Sequence, residues 1–371
     1  MHKISLKNIR CLIAHPLKIV LLCIAIVVGV SSSLFAQVPD RVISTDGSEA
    51  TVSGKIIAIT PNGVEVEEKN GSIKPVSVEK IREIQFSGEP PSLKNARLML
   101  ARRRPAEALK ELLKIESGEL EGAEEFIRDE VDFVKAASTG RAALESGASP
   151  VESGKLVGEF LTKHANSHHF YPMQELYGDL LARLGKFDLA QEAYAKLAKG
   201  PPALRVKAAA ANAGMLYDQE KYAEAYKEFE NAMQIQVDPK DEGSMSQRRA
   251  AELGKAKCLA RQRKPDEAIK LIQAIINQSN PEDKELLGKA YAVLGVTYRS
   301  ITGKDQDALI SFLTVDLVYN TFPETHAEAL FNLAELWESG KFPERAREAK
   351  QNLETAYPGS AWAKKAAARK S

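Results

Sequence analysis

Two hydrophobic periods divide the chain. Between residues 40 and 87 apolar and polar positions alternate, with Val64, Val66 and Glu68 set against Glu65 and Glu67, the period of a strand with one buried and one wet face. Short β-branched stretches at 41–44, 50–60, 63–68, 72–78 and 81–87 are separated by Asp46-Gly47, Pro61-Asn62-Gly63 and Asn70-Gly71. Asp-Gly and Asn-Gly supply the positive φ that tight hairpin turns need. Five short strands in so little chain predict a small barrel, because closure removes exposed edges. Pro90-Pro91 then interrupts the pattern, since proline cannot continue a helix or a central strand. From Ser92 onward the apolar spacing is that of helical hairpins.

The first 36 residues follow a third pattern. Lys3, Lys7, Arg10 and Lys18 form a basic flank without any acid, Ile19 to Val30 is unbroken and apolar, and Ser31, Ser32 and Ser33 lead to Leu34, Phe35 and Ala36. That is the order of a signal peptide. The apolar run, about 12 residues or about 17 if carried to Phe35, falls short of the roughly 20 that span a bilayer comfortably. Cleavage after Ala36 is therefore expected. Leu34 is large for its place before the cut, so an uncleaved anchor over residues 19–35, keeping membrane contact, is the alternative. Either way the basic flank stays inside and the remainder is exported to the periplasm or cell envelope.

Composition changes this picture in two places. Lys+Arg of 51 against Asp+Glu of 50 falls to 47 against 50 once the N-terminal segment is removed, so no excess of positive charge favours nucleic acid. Cys11 and Cys23 lie in that segment, which leaves Cys258 without a partner for an intramolecular disulfide. A hydrophobic content of 44% over 371 residues is enough for a packed core, and stability must come from it.

The helical part repeats. With Tyr171 as position 1, Gly178 and Ala190 put small residues at positions 8 and 20, Leu181, Phe187 and Tyr194 put large ones at 11, 17 and 24, and Leu197 and Pro202 follow near 27 and 32. The same landmarks return at Ala213, Tyr222, Ala225 and Phe229, at Ala256, Ala268 and Ile272, at Gly295, Ala308 and Phe312, and at Ala334, Trp337 and Ala346. This register resembles the tetratricopeptide repeat (TPR), with units at about 171–204, 206–239, 249–282, 288–322 and 327–360. Pro265 at position 17 and Lys350 at position 24 depart from it. Ala96 to Ile115 matches a further degenerate unit around Ala108, within TPR-like hairpins over 92–170. Gly54 to Ile59 with Ile81 to Ile84 is similar to SH3-like or Sm-like barrels, which makes 38–88 a small β domain. The expected fold is mainly α: a TPR-type α-solenoid behind a small all-β barrel and a signal or anchor segment.

Catalytic chemistry is not assembled in the sequence. Gly254-Lys255, Gly288-Lys289 and Gly303-Lys304 are not followed by Ser or Thr as a phosphate loop requires, and neither a zinc-protease nor a nucleophile-elbow motif occurs. His164, His168 and His169 have a spacing that shares an ion on a helix, but Asn166-Ser167 reads as a loop and only Glu159 or Glu175 is at hand to complete the set. No metal, no cofactor and no enzymatic activity are expected.

What the TPR resemblance implies is recognition. In that family positions 2, 5, 9, 12 and 13 of each first helix face the concave groove, here Asp179, Arg183, Tyr217, Asp218, Lys257, Arg261 and Arg299. The four basic side chains suit an acidic segment or a chain-terminal carboxylate, although Glu175 and Asp179 stand where the family's carboxylate clamp has a basic residue and an Asn. The expected function is a scaffold of the cell envelope that binds a protein or peptide; the alternative is an accessory subunit of envelope biogenesis or of an enzyme complex, whose β domain does the binding. RNA binding through the Sm-like resemblance is opposed by the export segment and the acidic remainder.

Overall fold

The computed structural model describes residues 38–44, 51–146 and 148–368, so the expected export segment, the Asp46-Gly47 turn and the first position of the processed chain lie outside the described residues. Residues 40–371 form one compact unit.

Strands β1 (Asp40–Ser44), β2 (Val52–Thr60), β3 (Gly63–Glu67), β4 (Ile73–Ser77) and β5 (Ile81–Gln85) build an antiparallel sheet in the order β4-β3-β2-β1-β5. A single 3-10 turn, Val78–Lys80, joins β4 to β5. Strand β2 serves two partners. Its start pairs with β1, its remainder with β3, and the register slips between Ile56 and Ala58. Gly54 sits at the change of partner, where a Cβ would stand 2.2 Å from the Glu67 carbonyl oxygen. The buried Asp40 carboxylate fastens the bend by accepting the backbone N–H of Ile56 at 2.9 Å and of Ser87 at 2.6 Å.

Among the described residues no ladder joins β4 to β5, and the small five-stranded antiparallel sheet loosely supports the SH3-like resemblance. Val42, Ile56, Val66 and Ile84 face a single core shared with Leu93, Ala96 and Leu100 of the first helix and with helices further along, so helices cover its apolar face.

The helices come in pairs. They are α1 (Pro91–Ala101) with α2 (Pro105–Leu112), α3 (Glu125–Ser146) with α4 (Pro150–Lys163), and α5 (Phe170–Arg183) with α6 (Phe187–Leu197). Then follow α7 (Pro202–Asp218) with α8 (Tyr222–Met233), α9 (Glu242–Arg261) with α10 (Pro265–Gln278), α11 (Lys284–Arg299) with α12 (Asp305–Val318), α13 (Pro323–Ser339) with α14 (Pro343–Ala356), and a final α15 (Ala361–Ala368). The expected landmarks are buried at the crossings: Ala190, Ala225, Ala268 and Ala308 are each 0% exposed. Pro265 does no damage as the first residue of α10, where its missing N–H has no helical partner to lose.

One turn recurs. Arg103, Glu220, Arg263 and Lys341 take left-handed φ between 58° and 62° just before the second helix, and Gly185 and Gly303 hold the same place in their hairpins at 71° and 82°. At Arg104, Lys186, Lys221, Lys264 and Phe342 the next backbone N–H reaches back to the carbonyl five residues earlier, closing the helix end as a Schellman motif does. The first hairpin shares this turn, as a degenerate repeat should. Successive first helices touch, α5 to α7, α7 to α9, α9 to α11 and α11 to α13, and so line one continuous inner face. Among the described residues no helix is long and apolar enough to cross a membrane.

Candidate partner-binding groove

The inner face winds far enough to meet its own beginning. Arg103, at the end of the first hairpin's turn, pairs with Glu285 of α11 across 182 positions of sequence and lies 4.8 Å above the Phe322 ring that precedes α13. Helix α3 belongs to the same wall, because Arg141 is held below its usual value by burial and by Arg103.

Charges inside this groove are mostly paired. Lys207 on α7 bonds Glu175 on α5 at 2.7 Å, and Lys289 bonds Glu285 at 2.8 Å. Asp179 accepts the Tyr194 hydroxyl at 2.6 Å, yet burial and the neighbouring Glu175 push its carboxyl up to about 6. Burial also raises Glu145, Asp218 and Glu328 above the ordinary carboxylate range.

The anticipated groove residues divide into three groups. Tyr217, Lys257 and Arg261 converge: the Lys257 ammonium lies 4.7 Å over the Tyr217 ring, and Arg261 Nε donates to the Tyr217 hydroxyl at 3.1 Å. Asp218 and Glu328 both feel the Lys257 charge, so α7, α9 and α13 meet electrostatically here. Arg299 is taken up by α13, bonding Asn332 and, at 3.0 Å, Glu335. Asp179 is committed to Tyr194, and Arg183 is exposed at the end of α5.

Lys207, Glu285, Glu328 and Asn332 are inner-face residues that sequence reasoning missed. Lys207 holds position 2 of the second unit, where the groove rule points; Glu285 precedes its unit and no positional rule reaches it. The three histidines do not gather. His164 stands between Asp129 at 3.1 Å and Asp132 at 3.0 Å, whereas His168 and His169 turn toward Glu130 rather than Glu159 or Glu175. Cys258 is fully buried and pushed up to about 11, which keeps it a thiol.

No family profile matches the sequence, and no curated protein matches it. Solved structures do. The apo form of the quorum sensor NprR from B. thuringiensis superposes with a TM-score of 0.50 at 15% identity, over 71% of this chain and 75% of that one. The fold is TPR-like. A Rap protein complexed with Competence and Sporulation Factor gives a TM-score of 0.47 at 15% identity over the same shares, 71% and 75%. The C-terminal part of a TPR repeat-containing protein from Cytophaga hutchinsonii gives 0.36 at 13% identity, over 73% of this chain and 97% of that one. In the TPR-like solenoid the half-buried Tyr217 ring, with the exposed Lys257 and Arg261 beside it, offers the inner face an aromatic surface flanked by two cations.

Proposed function

We propose that this protein is a non-enzymatic interaction scaffold that receives an extended, acidic protein or peptide segment along its inner face. The reading rests on one observation, the Tyr217, Lys257 and Arg261 cluster on adjacent first helices of a continuous groove. An arginine fork and a lysine beside an aromatic ring suit a carboxylate with an apolar neighbour.

The partner is to be captured by crosslinking in the native host and titrated against purified variants. Arg261→Ala is expected to lose about 1 kcal/mol or more of binding, with the loss shrinking at high salt as the charge term is screened. Arg299→Ala should lose less, because Asn332 and Glu335 already occupy its guanidinium. The exposed Lys270→Ala, on a second helix, is the control. Unchanged affinity in Arg261→Ala would move the site to the sheet, whose outer strand β4 presents Ile73 at 57% exposed.

The place of action is proposed to be the cell envelope, on the strength of the basic, apolar and small-residue order of residues 1–36. N-terminal sequencing of the native protein should begin near Gln37. Finding Met1 would select the retained anchor.

A further inference from the structure

We propose that Glu130, His168 and His169 bind a single divalent transition-metal ion of zinc's borderline character, at the seam between the β-sheet and the first helical hairpins. One ring nitrogen of each histidine and a carboxylate oxygen of Glu130 lie within 4.8 Å of one another. His169 Nε2 and Glu130 Oε2 are already in contact at 2.8 Å. Two imidazoles and a carboxylate are a familiar zinc set, with bonds of about 2.0–2.2 Å and a fourth position left for water or another ligand.

The second observation is an orphan. His168 is more than nine-tenths buried, and its Nδ1 has no hydrogen-bond partner although a buried ring nitrogen ordinarily has one.

Arg97 bonds Glu89 at 2.5 Å and stands 3.6 Å from the other Glu130 oxygen. Arg97 also fixes the orientation of the ligating carboxylate, the service that outer partners give metal ligands. Access exists through a cleft of about 350 Å³ lined in part by Phe86, Phe126, Glu130, His164 and His168. On binding, the metal replaces the hydrogen bond between His169 Nε2 and Glu130 Oε2.

The test uses the full chain without its first 36 residues, stripped with chelator and titrated separately with zinc chloride and with cobalt(II), whose visible d–d bands report tetrahedral ligation. The expected result is one ion per chain, a rise in melting temperature with zinc, and affinity at least about tenfold weaker in His168→Gln and in His169→Gln. His164→Gln, in the neighbouring cluster with Asp129 and Asp132, should bind as the wild type does. X-ray absorption on the zinc-loaded wild type, which needs no variant to fold, should count two imidazoles. Absence of stoichiometric uptake, uptake abolished by His164→Gln but not by the other two variants, or fewer than two imidazoles each overturns the proposal.

Discussion

Gly254→Val is expected to destabilise the solenoid by about 3 kcal/mol, the upper end of what overpacking costs. Gly254 lies inside α9 against α8, and a Cβ built there falls 2.3 Å from two carbons of the Phe229 ring. Phe229 is 6% exposed, so its ring is held within the core. The milder Gly254→Ala separates sterics from backbone preference. Helix propensity alone favours the alanine by about 1 kcal/mol, so a net loss of stability in Gly254→Ala shows that the crossing, not the backbone, sets the sign. Gly214 in α7 is the counterpart: a Cβ there meets nothing within 4 Å, and Gly214→Ala should gain about 0.5–1 kcal/mol. Denaturant melts of the three variants decide the matter, and a stabilised Gly254→Ala would mean that α8 and α9 do not cross as described.

Asp179→Asn should raise stability at pH 8 by about 2 kcal/mol and have almost no effect near pH 4. The folded carboxyl sits at about 6 because it is buried beside Glu175, against 3.8 for the same group unperturbed. A folded pKa above the unfolded one stabilises the native state fully below the unfolded value, and that contribution is lost as pH rises through the folded value. Here the window runs from 3.8 to about 6. Above it the wild type carries an ionised Asp179 that the groove disfavours, whereas asparagine stays neutral and still accepts the Tyr194 hydroxyl. Roughly two pKa units correspond to about 3 kcal/mol, which screening by groove water reduces to about 2. The measurement is the difference in melting temperature between the two proteins from pH 4 to pH 8, in which the other buried carboxyls cancel. A difference that does not change with pH would show that Asp179 carries no shift.

Each of these sites combines a legible part with an illegible one. The small residues at Gly178, Ala190, Ala225 and Ala268 mark helix crossings because only a short side chain lets two backbones approach, and that requirement is written into a local period. Gly254 belongs to no landmark position, and only the packing of α9 on α8 exposes its role. Pro265 looked like a departure from the repeat, yet proline at the first position of a helix is as acceptable as the aromatic it replaces.

The sequence by itself determined the short strands, the Asn62-Gly63 and Asn70-Gly71 turns and the helical, TPR-like character of the remainder, because hydrophobic period, hairpin residues and small-residue spacing all act within a few tens of positions. It also placed Tyr217, Lys257 and Arg261 on one face, since a fixed helical pitch carries repeat positions to the same side. Tertiary structure alone decided that helices cover the apolar face of the sheet, that Arg299 is claimed by α13, and that His169 meets Glu130 rather than Glu175. The contact between Arg103 and Glu285 is the clearest case. A small rotation at each hairpin, invisible in any one repeat, accumulates over five hairpins until residues 182 positions apart touch, and no local pattern records a sum of that kind.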